Sequence, residues 1–136
     1  MKTLFFDFIF LVMCITNVLA SNNVDTTYTF YDAARNKFVL NGNSLEYVPT
    51  TAIESSSGIY NGGMYKTRVL TEKEYKELAK IFNAALADKK AQTIKNIKPN
   101  AAVEISIGGK KTNFLLKSTT AKNIALHNYL KQLFKI

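Results

Sequence analysis

The sequence predicts one small α+β domain, an antiparallel sheet of about five strands with two helices packed on one face, in the order β-β-β-α-β-β-α. Two observations indicate this class. Short segments rich in β-branched and aromatic residues occur in two runs, one in each half of the chain. Two longer segments repeat apolar residues at helical spacing, and each of them follows one of these runs.

The first run of strands begins with TTYTFYD at residues 26–32 and KFVLNG at residues 37–42, and the AARN between them predicts a hairpin. LEYVP, residues 45–49, predicts a short extended piece. Because proline has no backbone N–H to donate to a neighbouring strand, Pro49 is expected to end this piece or to hold it at a sheet edge.

A long polar connection, residues 50–63, follows, and we call it the serine loop. Its Ile53 is expected to be buried. MYKTRVL, residues 64–70, then alternates as a half-buried strand does. The residues on one side are Tyr65, Thr67 and Val69, and those on the other are Lys66, Arg68 and Leu70.

The first helix is the strongest secondary-structure prediction. Thr71 and Glu74 have the spacing of a capping box, in which each side chain bonds to the backbone N–H of the other residue. Apolar residues then recur at helical spacing, as on the buried face of an amphipathic helix. This face comprises Tyr75, Leu78, Ala79, Phe82, Ala85 and Leu86. Residues 91–100 either prolong the helix or form a loop, and Pro99 closes the segment.

The second run of strands is the hairpin VEISIGGKKTNFLL at residues 103–116, with a Gly-Gly-Lys-Lys turn. A second helix is predicted from about residue 120 to residue 135, since apolar residues again recur at helical spacing. Its inward residues would be Leu126, Tyr129, Leu130, Leu133 and Phe134.

Residues 1–20 have the composition of a signal peptide, with an early Lys2, a central apolar run, and Val18 and Ala20 at the positions that a signal peptidase reads. We expect cleavage after Ala20. Residues 21–136 would then form a single exported domain, secreted or periplasmic, with no transmembrane span. An uncleaved anchor is the first alternative.

A lipoprotein acylated at Cys14 is the second alternative for the N-terminal segment. Cleavage after Ala20 would remove this residue, which is the only cysteine of the chain. The mature chain would then have no disulfide, no cysteine nucleophile and no thiolate metal ligand. It must therefore be held together by its hydrophobic core.

Charge is distributed unevenly around a formal net charge of +8. Acidic residues outnumber basic ones by four to two between residues 21 and 63, whereas basic residues outnumber acidic ones by fifteen to five between residues 64 and 136. The positive potential therefore belongs to the second half of the chain, and the serine loop belongs to the mildly acidic half.

The residues of the mature chain favour a protein that is not an enzyme. His127 is its only histidine and lies on the second predicted helix, where we expect a boundary residue without a carboxylate partner. No spacing of histidine or acidic residues predicts a metal site, and no glycine cluster opens a helix to bind phosphate. We therefore expect neither catalysis nor a cofactor. An enzyme of an unfamiliar kind is the remaining alternative.

The serine loop is the candidate binding site. Serines offer donors and acceptors, glycines allow positive φ, and a tyrosine supplies a large amphipathic contact group. Its predicted contact residues are Ser55, Ser56, Ser57, Gly58, Tyr60 and Asn61. We expect them to contact a macromolecule outside the cytoplasm, either a protein or an anionic glycan. The alternative is that the loop has no binding role and is a surface turn packed onto the sheet.

The four residues Ser57-Gly58-Ile59-Tyr60 also resemble the Ser-Gly-x-Tyr loop of bacterial periplasmic lysozyme inhibitors. This resemblance implies a loop that enters the lysozyme cleft. A further alternative is a basic surface that binds polyanionic envelope components. The lysines that would form this basic surface are Lys66, Lys76, Lys80, Lys89, Lys90, Lys95, Lys98, Lys110, Lys111 and Lys122. Nucleic acid is not an expected partner, because an exported protein would rarely meet it.

Overall fold

A computed structural model describes residues 25–55, 57–93 and 100–136 of the chain. The predicted signal peptide at residues 1–20, Ser56, and two of the lysines named above, Lys95 and Lys98, lie outside the described residues. The described residues form an antiparallel sheet and two helices, which confirms the α+β class. Among them, no helix is long and apolar enough to cross a membrane.

The sheet has seven described strands rather than about five, in the spatial order β4-β3-β2-β1-β6-β7-β5. Every neighbouring pair is antiparallel. The strands are β1 (Thr26–Tyr31), β2 (Lys37–Asn41), β3 (Ser44–Val48), β4 (Lys66–Val69), β5 (Gln92–Thr93), β6 (Asn100–Ile107) and β7 (Lys110–Lys117). The helices are α1 (Glu72–Ala87) and α2 (Ala121–Phe134).

Two short strands account for the difference in strand number. The LEYVP segment is a full strand, β3, which pairs with β2 on one side and β4 on the other. Pro49 ends this strand, as predicted, but the strand lies inside the sheet and not at its edge. The segment after α1 contributes β5, which pairs with the end of β7; the rest of that segment, residues 94–99, lies outside the described residues.

The predicted apolar faces of both helices form the core. Leu78, Phe82 and Ala85 of α1 are fully buried, and Phe82 stacks on Tyr28 of the sheet with ring centroids 5.1 Å apart. The apolar residues of α2 pack beside them. The predicted capping box of α1 is also present, with Thr71 and Glu74 bonded reciprocally. Helical periodicity therefore identified the buried residues correctly, because these helices have one buried face.

The alternation of β4 did not indicate which of its two faces turns inward. Tyr65 and Val69 are 55% and 69% exposed, while the basic side chains of the other face turn toward the C-terminal end of α2. Arg68 Nη1 donates to the carbonyl of Leu133 at 2.5 Å, and Lys66 Nζ donates to that of Phe134 at 3.4 Å. A helix C-terminus carries partial negative charge and unpaired carbonyls, so it attracts these cations.

Candidate functional site

The serine loop connects β3 to β4 and begins with a turn closed by Thr51 and Glu54. Glu54 Oε2 accepts from Thr51 N at 3.0 Å and from Thr51 Oγ1 at 2.7 Å. These backbone and side-chain hydrogen bonds lower the pKa of Glu54, because they stabilise its charged form. Glu54 is the only charged residue of the loop. Its carboxylate is therefore engaged within the loop.

Ser57 organises the middle of the serine loop. Its hydroxyl oxygen accepts from the backbone N–H groups of Ile59 and Tyr60 at 3.4 and 3.3 Å, and lies 2.8 Å from Ser55 Oγ. Gly58, between Ser57 and Ile59, has a φ of +68°, a backbone conformation that residues other than glycine rarely adopt. The loop is thus shaped by its own serine hydroxyls and a glycine at the tightest point of the turn.

The end of the loop is fixed to the body of the domain at Gly62. Its N–H donates to the carbonyl of Thr50 at 2.9 Å, and its carbonyl accepts from the Tyr47 hydroxyl at 2.6 Å. Burial raises the pKa of Tyr47, and the neighbouring Tyr60 and Asp32 raise it further, so the phenol keeps the proton that it donates. Residue 62 is a fixed point from which the loop projects.

The exposed large apolar side chains of the described residues are concentrated around this loop. Ile53, Ile59 and Met64 are 96%, 86% and 78% exposed. The prediction that Ile53 is buried is therefore wrong, because the turn between Thr51 and Glu54 points its side chain into solvent. Of the nine exposed large hydrophobic residues described, six lie between residues 53 and 69.

The predicted contact residues divide into two groups. Ser57, Gly58, Tyr60 and Asn61 are exposed, and Ser55 is half-buried; Ser56 lies outside the described residues. The hydroxyls of Ser55 and Ser57 bond to each other and to backbone N–H groups of the loop, and Asn61 Oδ1 accepts from Gly63 N at 2.9 Å. These polar atoms mainly hold the loop together.

Three side chains that the sequence analysis did not select are strongly exposed in or beside the loop, namely Ile53, Ile59 and Met64. The sequence does indicate them, because each is an isolated apolar residue in or beside a polar segment.

Tyr60 links the loop to a cavity behind it. Its hydroxyl accepts from Asn36 Nδ2 at 3.1 Å, and the residue as a whole is 42% exposed. Asn36 also donates two hydrogen bonds to Asp32. Its backbone N–H donates to Oδ1 at 2.9 Å, and its Nδ2 donates to Oδ2 at 2.8 Å. The loop, the β1–β2 turn and the cavity therefore share one hydrogen-bond network.

His127 lies in this cavity opposite Asp32. The expectation that His127 has no carboxylate partner is wrong, because its Nε2 lies 3.5 Å from Asp32 Oδ2. The imidazole also packs on Phe30 and Phe38, with ring centroids 6.0 and 6.4 Å apart. Sequence reasoning missed the pair because Asp32 follows the first strand and His127 belongs to the last helix.

Asp32 is almost completely buried, and its environment favours the charged form. Burial by itself raises the pKa of Asp32, but hydrogen bonds from His127 and Asn36 outweigh burial and leave the pKa below its ordinary value. The contacts that define this pair are the two bonds from Asn36 to Asp32 and the approach of His127 Nε2 to Asp32 Oδ2.

Side chains that could ligate a metal ion are scattered over the same part of the chain. In residues 25–55, 57–93 and 100–136, no three His, Cys, Asp or Glu side chains are grouped closely enough to hold an ion. The lysines of the second half lie on separate elements, and several are engaged: Lys76 pairs with Glu72, and Lys111 pairs with Glu104 at 3.0 Å.

No known protein-family model matches this chain, and no curated protein matches it in sequence. The fold and the two neighbouring features, a projecting loop and a polar cavity, therefore carry the functional argument.

Proposed function

We propose that this is an exported, non-enzymatic binding or inhibitory protein, and that its serine loop docks onto another protein outside the cytoplasm. The observation that carries the proposal is the exposure of Ile53, Ile59 and Met64 on or beside a loop held by internal hydrogen bonds. Isolated exposed apolar residues are ordinary on protein surfaces, but a concentration of them in one segment indicates an interface.

Energetics support docking of this loop. Complete burial of an isoleucine or methionine side chain stabilises by about 1.5–3 kcal/mol relative to exposure. The bonds to Ser57 and the attachment at Gly62 fix the loop before a partner arrives, so less conformational entropy is lost on binding. Two or three such side chains entering a cleft would provide the central contacts that dominate typical interfaces.

The chemistry of the loop favours a protein partner over a polyanion. Its one carboxylate, on Glu54, is bonded to Thr51, and the loop contains no basic residue. A polyanion would need the lysines, which lie outside this loop. The exposed isoleucine and methionine side chains instead fit an apolar cleft on a protein. A lysozyme is one protein to test, because the loop resembles that of its inhibitors.

The test compares wild-type protein with Ile59→Ser and a matched control, Ile107→Ser, which changes another exposed isoleucine far along the sheet from the loop. Each protein is immobilised and offered an envelope extract, purified lysozyme and heparin. We expect one protein to be retained by the wild type and by Ile107→Ser and lost with Ile59→Ser, with melting temperatures unchanged.

Three outcomes would contradict the proposal. In the first, the wild type, Ile59→Ser and Ile107→Ser all retain the same partner equally well. In the second, heparin is the main ligand and Ile59→Ser binds it as the wild type does. In the third, the wild type captures no protein reproducibly. Specific retention of lysozyme would identify the inhibitor alternative.

A further inference from the structure

Strand β4 lies at an edge of the sheet, where β3 is its one neighbour among the described strands. Leu70 N donates to the carbonyl of Asn43 at 2.8 Å, which continues the ladder between β3 and β4 by one residue. In an antiparallel pair, alternate residues direct their backbone groups to the same neighbour. The two basic residues of β4 therefore bond toward β3, whereas the N–H and C=O groups of Thr67 and Val69 point out of the sheet.

The charged side chains of β4 do not protect this edge, although charged residues commonly do so in natural sheets. Lys66 Nζ donates to a carbonyl at the C-terminal end of α2, and Arg68 Nη2 pairs with Glu74 Oε1 at 2.7 Å. Val69, and Tyr65 directly before the strand, are exposed. The edge therefore combines outward backbone groups with exposed apolar side chains, which is the arrangement that pairs with another strand.

The sequence of this edge is complementary to itself. When two copies of β4 run antiparallel with their Thr67 residues opposite each other, Tyr65 of each chain lies opposite Val69 of the other. All of these positions have outward backbone groups, so each pair can exchange both of its hydrogen bonds. Pairs of threonines, and pairs of an aromatic with a β-branched residue, stabilise antiparallel sheets. A second copy of the chain thus supplies a matching strand.

The basic residues weaken this pairing only partly. Lys66 of one chain would lie opposite Arg68 of the other, and like charges directly opposite each other are destabilising. Arg68 is already paired with Glu74 of its own chain, however. Lys66 would therefore face an ion pair and not an isolated positive charge, which reduces the repulsion.

We propose that this protein forms a symmetric homodimer in which two β4 edges pair antiparallel, centred on Thr67, and join the two sheets into one. Closed two-fold dimers are the commonest oligomers of soluble proteins. Main-chain hydrogen bonds provide the affinity of such strand addition, and alternate side chains set its register. The dimer does not depend on the partner proposed for the serine loop, and it carries two such loops, one from each chain.

Sedimentation velocity of the purified protein, from about 1 to about 500 µM, tests for the dimer. We expect a monomer–dimer equilibrium with a Kd of about 1–100 µM, because one pair of short strands makes a small interface.

A charge placed at the centre of the pairing locates the interface. Thr67→Glu should raise the Kd at least tenfold, because the two new carboxylates lie opposite each other and beside Glu46 of each chain. Thr112→Glu, the same change at an exposed position of β7, is the matched control and should leave the Kd unchanged. Mixing Thr67→Glu with Thr67→Lys should restore pairing, since a lysine then opposes each glutamate. Melting temperatures of dilute, monomeric samples check that the variants fold.

Cysteine cross-linking tests the register, with each variant made in a Cys14→Ser background so that its new thiol is the only one in the chain. Opposed residues of a hydrogen-bonded pair have Cα atoms about 5.5 Å apart, a distance that a disulfide can span. Thr67→Cys should therefore form a covalent dimer on mild oxidation. Val69→Cys should not, because the two residues 69 would be about 13 Å apart along the strands.

The proposal is overturned if the wild type is monomeric throughout the concentration range, or if Thr67→Glu dimerises as tightly as the wild type. It is also overturned if Thr112→Glu disrupts a dimer that Thr67→Glu leaves intact, or if Val69→Cys cross-links as readily as Thr67→Cys.

Discussion

Gly62 lies so close to Asn36 that a Cβ atom on residue 62 would stand 2.1 Å from Asn36 Oδ1. Pro49 Cβ and the Thr50 backbone nitrogen, at 2.9 and 3.0 Å, would also crowd that atom. The same Asn36 Oδ1 accepts from Thr50 N. The end of the serine loop, the end of β3 and the β1–β2 turn therefore meet at one point where only glycine fits.

The first prediction follows from this contact. Gly62→Ala must displace the amide of Asn36 or the backbone of Thr50, and we expect it to lower the free energy of unfolding by about 1–3 kcal/mol, as overpacking does. Urea denaturation measures the loss. Gly58→Asn is the control, since nothing lies within 4 Å of a Cβ there and asparagine tolerates positive φ. Equal stability of Gly62→Ala and wild type would mean that the loop is not anchored at this residue.

The second prediction concerns the core beneath α1. Phe82 is fully buried against Tyr28, so Phe82→Ala leaves a large cavity and should cost about 3–5 kcal/mol. Thermal and chemical denaturation both report this loss. Ile107→Ala, at a half-exposed position, should change stability by less than about 0.5 kcal/mol. A Phe82→Ala midpoint close to that of the control would show that α1 does not pack on the sheet as described.

The third prediction concerns pH. Because the folded-state pKa of Asp32 lies below its ordinary value of 3.8, the ionised carboxylate stabilises the fold above that value. This contribution should be fully present near neutral pH and be lost as pH falls below 3.8 through the folded-state pKa. Unfolding of wild type and Asp32→Asn, compared across this range, should show a stability difference that shrinks with acidification.

A direct measurement checks the same prediction without unfolding the protein. The carboxyl carbon resonance of Asp32, followed by NMR during acid titration, should show its midpoint below 3.8. A midpoint at or above that value would mean that burial outweighs the bonds from His127 and Asn36.

Local signals predicted most of the fold. The faces of α1 and α2 and the β6–β7 hairpin depend on residues close together in sequence, and the positive φ of Gly108 and Gly109 suits the tight turn between those strands. The orientation of β4 could not be predicted in this way. Lys66 and Arg68 turn inward because a distant helix ends beside them, and no local pattern contains that helix end.

The surroundings of the candidate site were predicted only in part. Sequence composition selected the serine loop, whose Ser55 and Ser57 hydroxyls bond to each other, but it took the exposed Ile53 as buried. The polar cavity was missed altogether, since it depends on the β1–β2 turn and α2 meeting in space. Asp32, Asn123 and His127 carry no shared motif, so only tertiary structure brings them together.

The last prediction separates the two roles of Tyr60, whose hydroxyl bonds to Asn36 while the residue stays 42% exposed. Tyr60→Phe removes that one bond and should cost about 0.5–1.5 kcal/mol. Because the aromatic ring remains, capture of the protein partner should be unaffected once folded protein is matched. Tyr60→Ala also removes the partly buried ring, so we expect a larger loss of stability than in Tyr60→Phe and a clearly weaker capture at matched folded protein. Binding and melting curves measured on both variants test this prediction. If Tyr60→Phe captured the partner as weakly as Tyr60→Ala does, the contact would belong to the hydroxyl and not to the ring.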